Sequence, residues 1–270
     1  MSTEYMMGHA ERELRRLELQ GSILNPLTED LFRRAGIAEG MHVLDIGCGI
    51  GEVSMIAARL VGPQGRVTAL DLDEGTLDVA RSRTAQRGLT WIDFQKCDLR
   101  QYQPARLFDA VVGRLILMHV PDPLAILQMA FRALRSGGTV AFQEPDFGLV
   151  PQSYPALPTR FRILTVVTEF CQKLPQGNVG SALCHHFLQA GFERPNGRGE
   201  FPIDSGPDSL YYEWFAESIR SMLPLLDKAG LMLAEEVDID TLAARLRHEA
   251  VSANAAFPGP IYVGCYARKP

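Results

Sequence analysis

Val43-Leu44-Asp45-Ile46-Gly47-Cys48-Gly49-Ile50-Gly51 is the stretch that decides the fold. Met41 to Ile46 reads as a strand, and Glu52 to Leu60 as a helix, with the glycines between them. Glycine after a strand permits a tight turn and lets the backbone approach a ligand closely. The helix that starts there aims its free amides at the same place. Dinucleotide-binding proteins share that much, but their fingerprint needs a third glycine where this chain has Glu52. Asp45 and Glu52 flank the loop, and two carboxylates repel a pyrophosphate. They suit a ligand with an ammonium and a sulfonium and no phosphate. A nicotinamide oxidoreductase is disfavoured on the same ground.

Outward from the loop, short β-rich runs alternate with helical ones. Arg66–Leu70, Thr90–Lys96, Phe108–Gly113 and Thr139–Glu144 read as strands, with Ser136-Gly137-Gly138 as a turn. Asp73–Arg87 and Pro123–Leu134 read as the intervening helices. Such alternation implies right-handed crossovers and a parallel sheet, an α/β Rossmann-like fold. Asp71 closes the second strand, about 20 residues beyond the loop, where an acid reaches the ribose hydroxyls of a nucleoside. Asp98 follows the third strand in Lys96-Cys97-Asp98-Leu99, placed to accept from an adenine amino group. A lone Asp after a strand is often only a cap or turn residue. Three acids in order at successive strand ends point together to a nucleoside ligand.

These residues resemble the class I S-adenosylmethionine-dependent methyltransferases, in the small-molecule branch typified by menaquinone and ubiquinone biosynthesis. The resemblance covers residues 37 to 145. It implies S-adenosyl-L-methionine as cofactor and S-adenosylhomocysteine as product. By resemblance, Asp45, Gly47, Cys48 and Gly49 line the methionine part. Asp71 holds the ribose diol, Leu72 packs on adenine, and Cys97, Asp98 and Leu99 meet the adenine edge. Gly113 and Arg114 contact the methionine amine, largely through backbone carbonyls. The sheet then has seven strands, the last two expected at Gly197–Ile203 and Ile261–Ala267 as antiparallel strands.

The family's acceptor pocket lies above strands four and five, and two features fall there. His119, in Leu117-Met118-His119-Val120-Pro121-Asp122, takes a proton from the acceptor or shapes the helix start through backbone bonds. Glu144 orients or deprotonates substrate, or caps a turn. A third feature is N-terminal: Tyr5-Met6-Met7-Gly8-His9 with Arg16 and Gln20 resembles the start of several actinomycete-type natural-product methyltransferases. That resemblance turns Tyr5 and His9 toward the transferred methyl and puts Arg16 and Gln20 near the methionine end; the plain alternative is a frayed tail. Catalytic expectations are thus His119, Tyr5, Glu144 and His9.

Three segments are expected: lid helices over 1–35, a cofactor-binding core over 36–150, and the remaining strands over 151–270 with helical insertions at 155–175 and 207–252, all in one compact unit. Glu11–Gly21, Arg160–Leu174, Val179–Gly191, Ser209–Ala229 and Ile239–Ala250 read as helices, and Pro145–Pro158 as a linker. In the late helices, Tyr211, Tyr212, Trp214, Phe215 and Met222 read mostly as packing residues, with one or two as walls of an apolar acceptor site. His185-His186 lacks a third ligand at helical spacing, so no metal is expected. Five cysteines without paired spacing read as reduced thiols in a cytoplasm. The N-terminus lacks a signal-peptide pattern, and no apolar run reaches the ~18 residues that span a bilayer. The net charge of −5 argues against a nucleic-acid partner, as does the absence of an Asn/Asp-Pro-Pro-aromatic motif after strand four. The expected partner is a small-molecule methyl acceptor, aromatic or heterocyclic, an indole among the choices; a homodimer stays open. Transfer of a methyl group is the leading reading. A sensor or pericyclic catalyst on the same fold is the alternative.

Overall fold

The structure is a computed structural model that describes the chain except Met1, Ser2 and residues 232–236, with backbone alone for residues 3–10. The chain divides into two compact units. One comprises residues 25–146, 178–200 and 262–270; the other comprises 1–24, 147–177 and 201–261. The boundary falls inside the first helix, α1 (Thr3–Arg34).

The first of these units is built on a seven-stranded sheet. Its strands are β1 (His42–Ile46), β2 (Arg66–Asp71), β3 (Ile92–Lys96), β4 (Phe108–Arg114), β5 (Leu134–Asp146), β6 (Glu193–Glu200) and β9 (Ile261–Arg268). They lie in the order β3-β2-β1-β4-β5-β9-β6. The pairings of β1 with β2 and β4, of β2 with β3, and of β4 with β5 are parallel; β6 and β9 are antiparallel. Helices α2 (Glu52–Val61), α3 (Glu74–Gln86), α4 (Pro123–Ala133) and α6 (Val179–Gln189) complete it.

Alternation along the strands sorts side chains to two faces. Leu44 and Ile46 join Val111, Leu127, Phe142, Leu183 and Phe187 on the α4 and α6 side. Val43 joins Phe32, Ile56, Val112 and Ala141 on the α1 and α2 side. The strand order reverses between β1 and β4, and open α/β sheets bind ligands outside the strand ends at that point.

Three elements differ from expectation. The N-terminal helix runs from Thr3 to Arg34, through Gly21 and Pro26. Burial of Leu24, Leu31 and Phe32 and ion pairs Arg33–Glu29 and Arg34–Asp30 outweigh those local breakers. The Gly137 turn exists but lies inside β5, as an irregularity between the pairs Phe108↔Leu134 and Ala110↔Thr139. Gly137 donates to the Lys269 carbonyl, and Lys269 to that of Gly138, which ties the irregularity into the structure. The sixth strand begins at Glu193, not Gly197. Its polar sequence hides it; pairing with apolar β9 selects the register.

The other unit is mainly helical: residues 3–24 of α1, α5 (Pro158–Gln172), α7 (Tyr211–Lys228) and α8 (Leu242–Ser252). A two-residue ladder of β7 (Ile203–Asp204) and β8 (Phe257–Pro258) sits beside them. Phe257 packs edge-on against Tyr212 and Phe215, and the buried Arg160 guanidinium lies 5.2 Å from its ring centre. Arg160 donates to the carbonyls of Pro151 and Pro258. Tyr211, Tyr212, Trp214 and Phe215 are all buried.

Candidate functional site

The glycine loop turns at the carboxyl end of β1. Gly47, Gly49 and Gly51 have φ of 68°, 51° and 85°, the left-handed region that L side chains resist. A Cβ on Gly47 would overlap Ile116, whereas one on Gly49 would meet open space. The loop is therefore wedged on one side and open on the other. The Cys48 thiol faces inward, with Ala69, Leu77, Ala80 and Phe94, so the loop presents this residue's backbone. Burial, then Asp45 and Asp71, push that thiol upward from its ordinary value.

Asp45 is completely buried on the α2 side of the sheet, because it alternates with Leu44 and Ile46. Its Oδ2 accepts from Ser54 Oγ at 2.5 Å, and its Oδ1 has no partner. Burial pushes its carboxyl up to about 7, against the lowering effect of Ser54 and Arg114. Glu52 is engaged otherwise than its sequence position implies. Its Oε1 accepts from Arg83 at 2.5 Å and its Oε2 from Asn25 at 2.7 Å. Its charge is answered inside the protein, and the case against a phosphate there rests on Asp45.

Arg114, at the end of β4, is buried. It donates to Asn25 Oδ1 at 3.0 Å and Thr28 Oγ1 at 2.9 Å; Thr28 in turn donates to Gln143 Oε1 at 2.6 Å. Burial lowers the guanidinium, opposed by the charges of Glu52 and Asp45. This chain of bonds joins α1, the glycine loop, β4 and β5. Asn25, Thr28, Ser54, Arg83 and Gln143 were not read from the sequence as site residues. One signal was available: Ser54 stands as a lone hydroxyl in the apolar run Val53–Ala58.

Asp71, partly exposed at the end of β2, accepts from the Gly49 amide at 2.8 Å and the Asp73 amide at 3.1 Å. Those two bonds leave lone pairs on both oxygens. Leu72 is 63% exposed beside it. The Cys97 amide donates to the Asp71 carbonyl, so the ends of β2 and β3 run together. Asp98 forms a bidentate pair with the exposed Arg100, which holds its carboxyl down to about 2. Leu99 packs on the core edge. Asp45, Asp71, Cys97, Asp98 and the loop glycines thus share the carboxyl ends of β1, β2 and β3.

At the end of β4, Gly113 lies against Phe142 and Ile116. Leu115 takes a left-handed φ of 55°, a strained conformation for a branched side chain. Glu144 sits beneath: its Oε1 accepts from the Ile116 and Leu117 amides at 3.0 and 2.9 Å. It is fully buried, its Oε2 has no partner, and burial raises its carboxyl to about 7. It caps the short 3-10 turn Leu117–His119, whose last residue, His119, is exposed. Arg16 and Gln20 lie on α1, where Arg16 is bonded to Glu13 and to Gln20. They belong to the unit that does not contain the glycine loop. The side chains of Tyr5 and His9 lie outside the described residues. Among the described residues, no group of three His, Cys, Asp or Glu could hold a metal, and no helix is long and apolar enough to cross a membrane.

Residues 37–194 match the model of a family described as methyltransferase domain. The chain belongs to that family. Within it, the sequence falls in the class I, S-adenosylmethionine-dependent, small-molecule branch, whose cofactor is S-adenosyl-L-methionine. Aklanonic acid methyltransferase DauC of Streptomyces sp. strain C5 is 35% identical over 149 residues, 55% of this chain and 66% of that protein. Ubiquinone biosynthesis O-methyltransferase of Xanthomonas campestris is 34% identical over 168 residues, 61% of this chain and 62% of that protein. The matched stretch thus spans about two thirds of these relatives or less. The fold is shared with the cyclase SpnF, at a TM-score of 0.54 and 21% identity, covering 91% of this chain and 81% of that one. It is shared too with phosphoethanolamine N-methyltransferase 2 of Haemonchus contortus, at a TM-score of 0.54 and 19% identity, covering 91% and 52%.

Proposed function

We propose that the chain transfers a methyl group from S-adenosylmethionine to a small-molecule acceptor, an aromatic or heterocyclic ring of natural-product type, with an indole among such rings. The observation that carries this is the unpartnered Oδ1 of Asp45, a buried acceptor set under an open glycine loop. A buried carboxylate oxygen without a partner is costly, and an ammonium group satisfies it. The residues present fit the cofactor. Asp45, with the backbone of Gly47, Cys48 and Gly49 and the carbonyls of Gly113 and Arg114, would hold its amino-acid end. Asp71 would take the ribose diol on its free lone pairs, and Leu72, Cys97, Asp98 and Leu99 would border the adenine. Arg16 and Gln20 keep the cofactor role inferred for them from the N-terminal resemblance.

The bound cofactor supplies an electrophilic methyl on sulfur. The protein then contributes alignment and a place for the acceptor's proton. His119, exposed at the end of its turn, is the proton acceptor in this reading. Glu144 acts through the turn it caps and is a positioning residue. Tyr5 and His9 remain assigned to the acceptor side. The names of the two relatives support this acceptor class, since one concerns aklanonic acid and the other a quinone.

Two measurements test the reading: calorimetric titration with S-adenosylhomocysteine, and methyl transfer to a panel of quinone, phenol and indole acceptors. Asp71→Ala should weaken binding at least about tenfold, as expected when hydrogen bonds to a charged group are lost. His119→Ala should bind normally and turn over about a hundredfold more slowly. Unchanged binding in the first variant sinks the site, and unchanged turnover in the second removes His119 from the chemistry. Tight binding with no transfer to any acceptor favours the sensor or pericyclic alternative.

A further inference from the structure

Cys184 in α6 and Cys265 in β9 are free thiols whose sulfur atoms stand 3.3 Å apart, though 81 residues separate them in sequence. Their contact depends on a glycine. Gly197 pairs with Cys265 across the β6–β9 ladder. A Cβ there would come within 2.8 Å of Cys184 Sγ and 3.9 Å of Cys265 Sγ, so the missing side chain leaves the space that Cys184 fills. A disulfide bond is about 2.05 Å long, which leaves about 1.2 Å of sulfur approach to be made. The two sulfurs differ in access. Cys265 is fully buried, and burial followed by the neighbouring Cys184 thiol pushes it up from its ordinary value. Cys184 is partly exposed and is the sulfur that a solvent-borne oxidant meets first.

We propose that Cys184 and Cys265 are a modification site that closes to a reversible intrachain disulfide when the protein meets hydrogen peroxide. Cys184 sulfur attacks one peroxide oxygen, the O–O bond breaks, and a sulfenic acid and one water result. Cys265 sulfur then displaces the sulfenic oxygen, which leaves with both remaining protons as a second water. Two thiols and one peroxide give one disulfide and two waters: each sulfur loses one electron, and the peroxide oxygens gain them. A thiol reductant reverses the bond by exchange. The crosslink ties α6 to the strand beneath it.

The test uses the whole chain under native conditions and does not depend on methyl transfer. The protein is treated with hydrogen peroxide, trapped with an alkylating agent, weighed intact and digested. The expected result is loss of two of the five thiols, restored by dithiothreitol, with one crosslinked peptide joining Cys184 to Cys265. A Cys184→Ser variant should form no crosslink and keep Cys265 alkylatable after unfolding. Cys184 and Cys265 both remaining alkylatable after peroxide would overturn the proposal. So would conversion of Cys184 to sulfinic acid with Cys265 still free, or a crosslink between other cysteines.

Discussion

The sheet unit and the helical unit reach a stable interior by opposite routes. In the sheet unit every second strand residue goes to one face, and the apolar runs of β1, β4 and β5 fill two layers. Buried polar groups there include a connected set, Arg114 with Asn25, Thr28 and Gln143. In the helical unit Phe257 gathers Tyr212, Phe215 and the guanidinium of Arg160, which donates to the carbonyls of Pro151 and Pro258 and to the Ser153 hydroxyl. Strand order and parallel register fix where the strand-end residues stand in the first. Helix packing around shared side chains leaves more solutions in the second, and its sequence fixes fewer positions.

The sharpest way to break this contrast is to burden one glycine in each unit. Gly47→Val adds a branched side chain at a left-handed position already filled by Ile116. It should cost about 2–4 kcal/mol in chemical denaturation and abolish cofactor binding. The second effect is a pH dependence. Asp45 must be ionised to hold an ammonium, and its carboxyl stands at about 7. Cofactor affinity should therefore fall up to about tenfold per pH unit below 7, and Asp45→Asn should flatten that slope. The sign for stability is opposite. A carboxyl raised on folding leaves the folded state holding more protons, so its contribution is lost as pH climbs from about 4 toward 7. Glu144, also raised to about 7, acts in the same direction.

Smaller effects belong to the helical unit. Gly206 also has a left-handed φ, 86°, but a Cβ there meets nothing within 4 Å. Gly206→Ala should cost about 1 kcal/mol, the conformational penalty without the clash. Equal losses at Gly47 and Gly206 would show that backbone strain, not the Ile116 wedge, governs the loop. Smallest is Arg15→Ala, which removes an exposed pair with Glu213 and should leave the melting temperature unchanged.

Much of the sheet unit was legible because its signals are local. The glycine loop, the strand-end acids and the alternating apolar runs each carry their own spacing. Signals that depend on distant partners were not legible. Gly137 reads as a turn, and only the Lys269 backbone shows that β5 continues through it. Glu193–Asn196 is too polar to announce a strand, and β9 supplies the reason for one. Glu52 reads as a ligand-facing acid, but Arg83 and Asn25, 31 and 27 residues away, claim both oxygens. Glu144 reads as a group that orients or deprotonates substrate, or as a turn cap, and its two amide donors lie 28 and 27 residues before it. In each instance a long-range hydrogen bond adds a partner that no local pattern carries.

Ile116 touches the places where side chains on Gly47 and on Gly113 would stand, so one residue keys the loop after β1 to the strand end of β4. The two segments behave as a lock with a shared pin. Anyone grafting a new post-β4 loop onto this scaffold to change the molecule it accepts would disturb the cofactor loop as well. The transplant has to carry an equivalent of Ile116, or redesign both segments together.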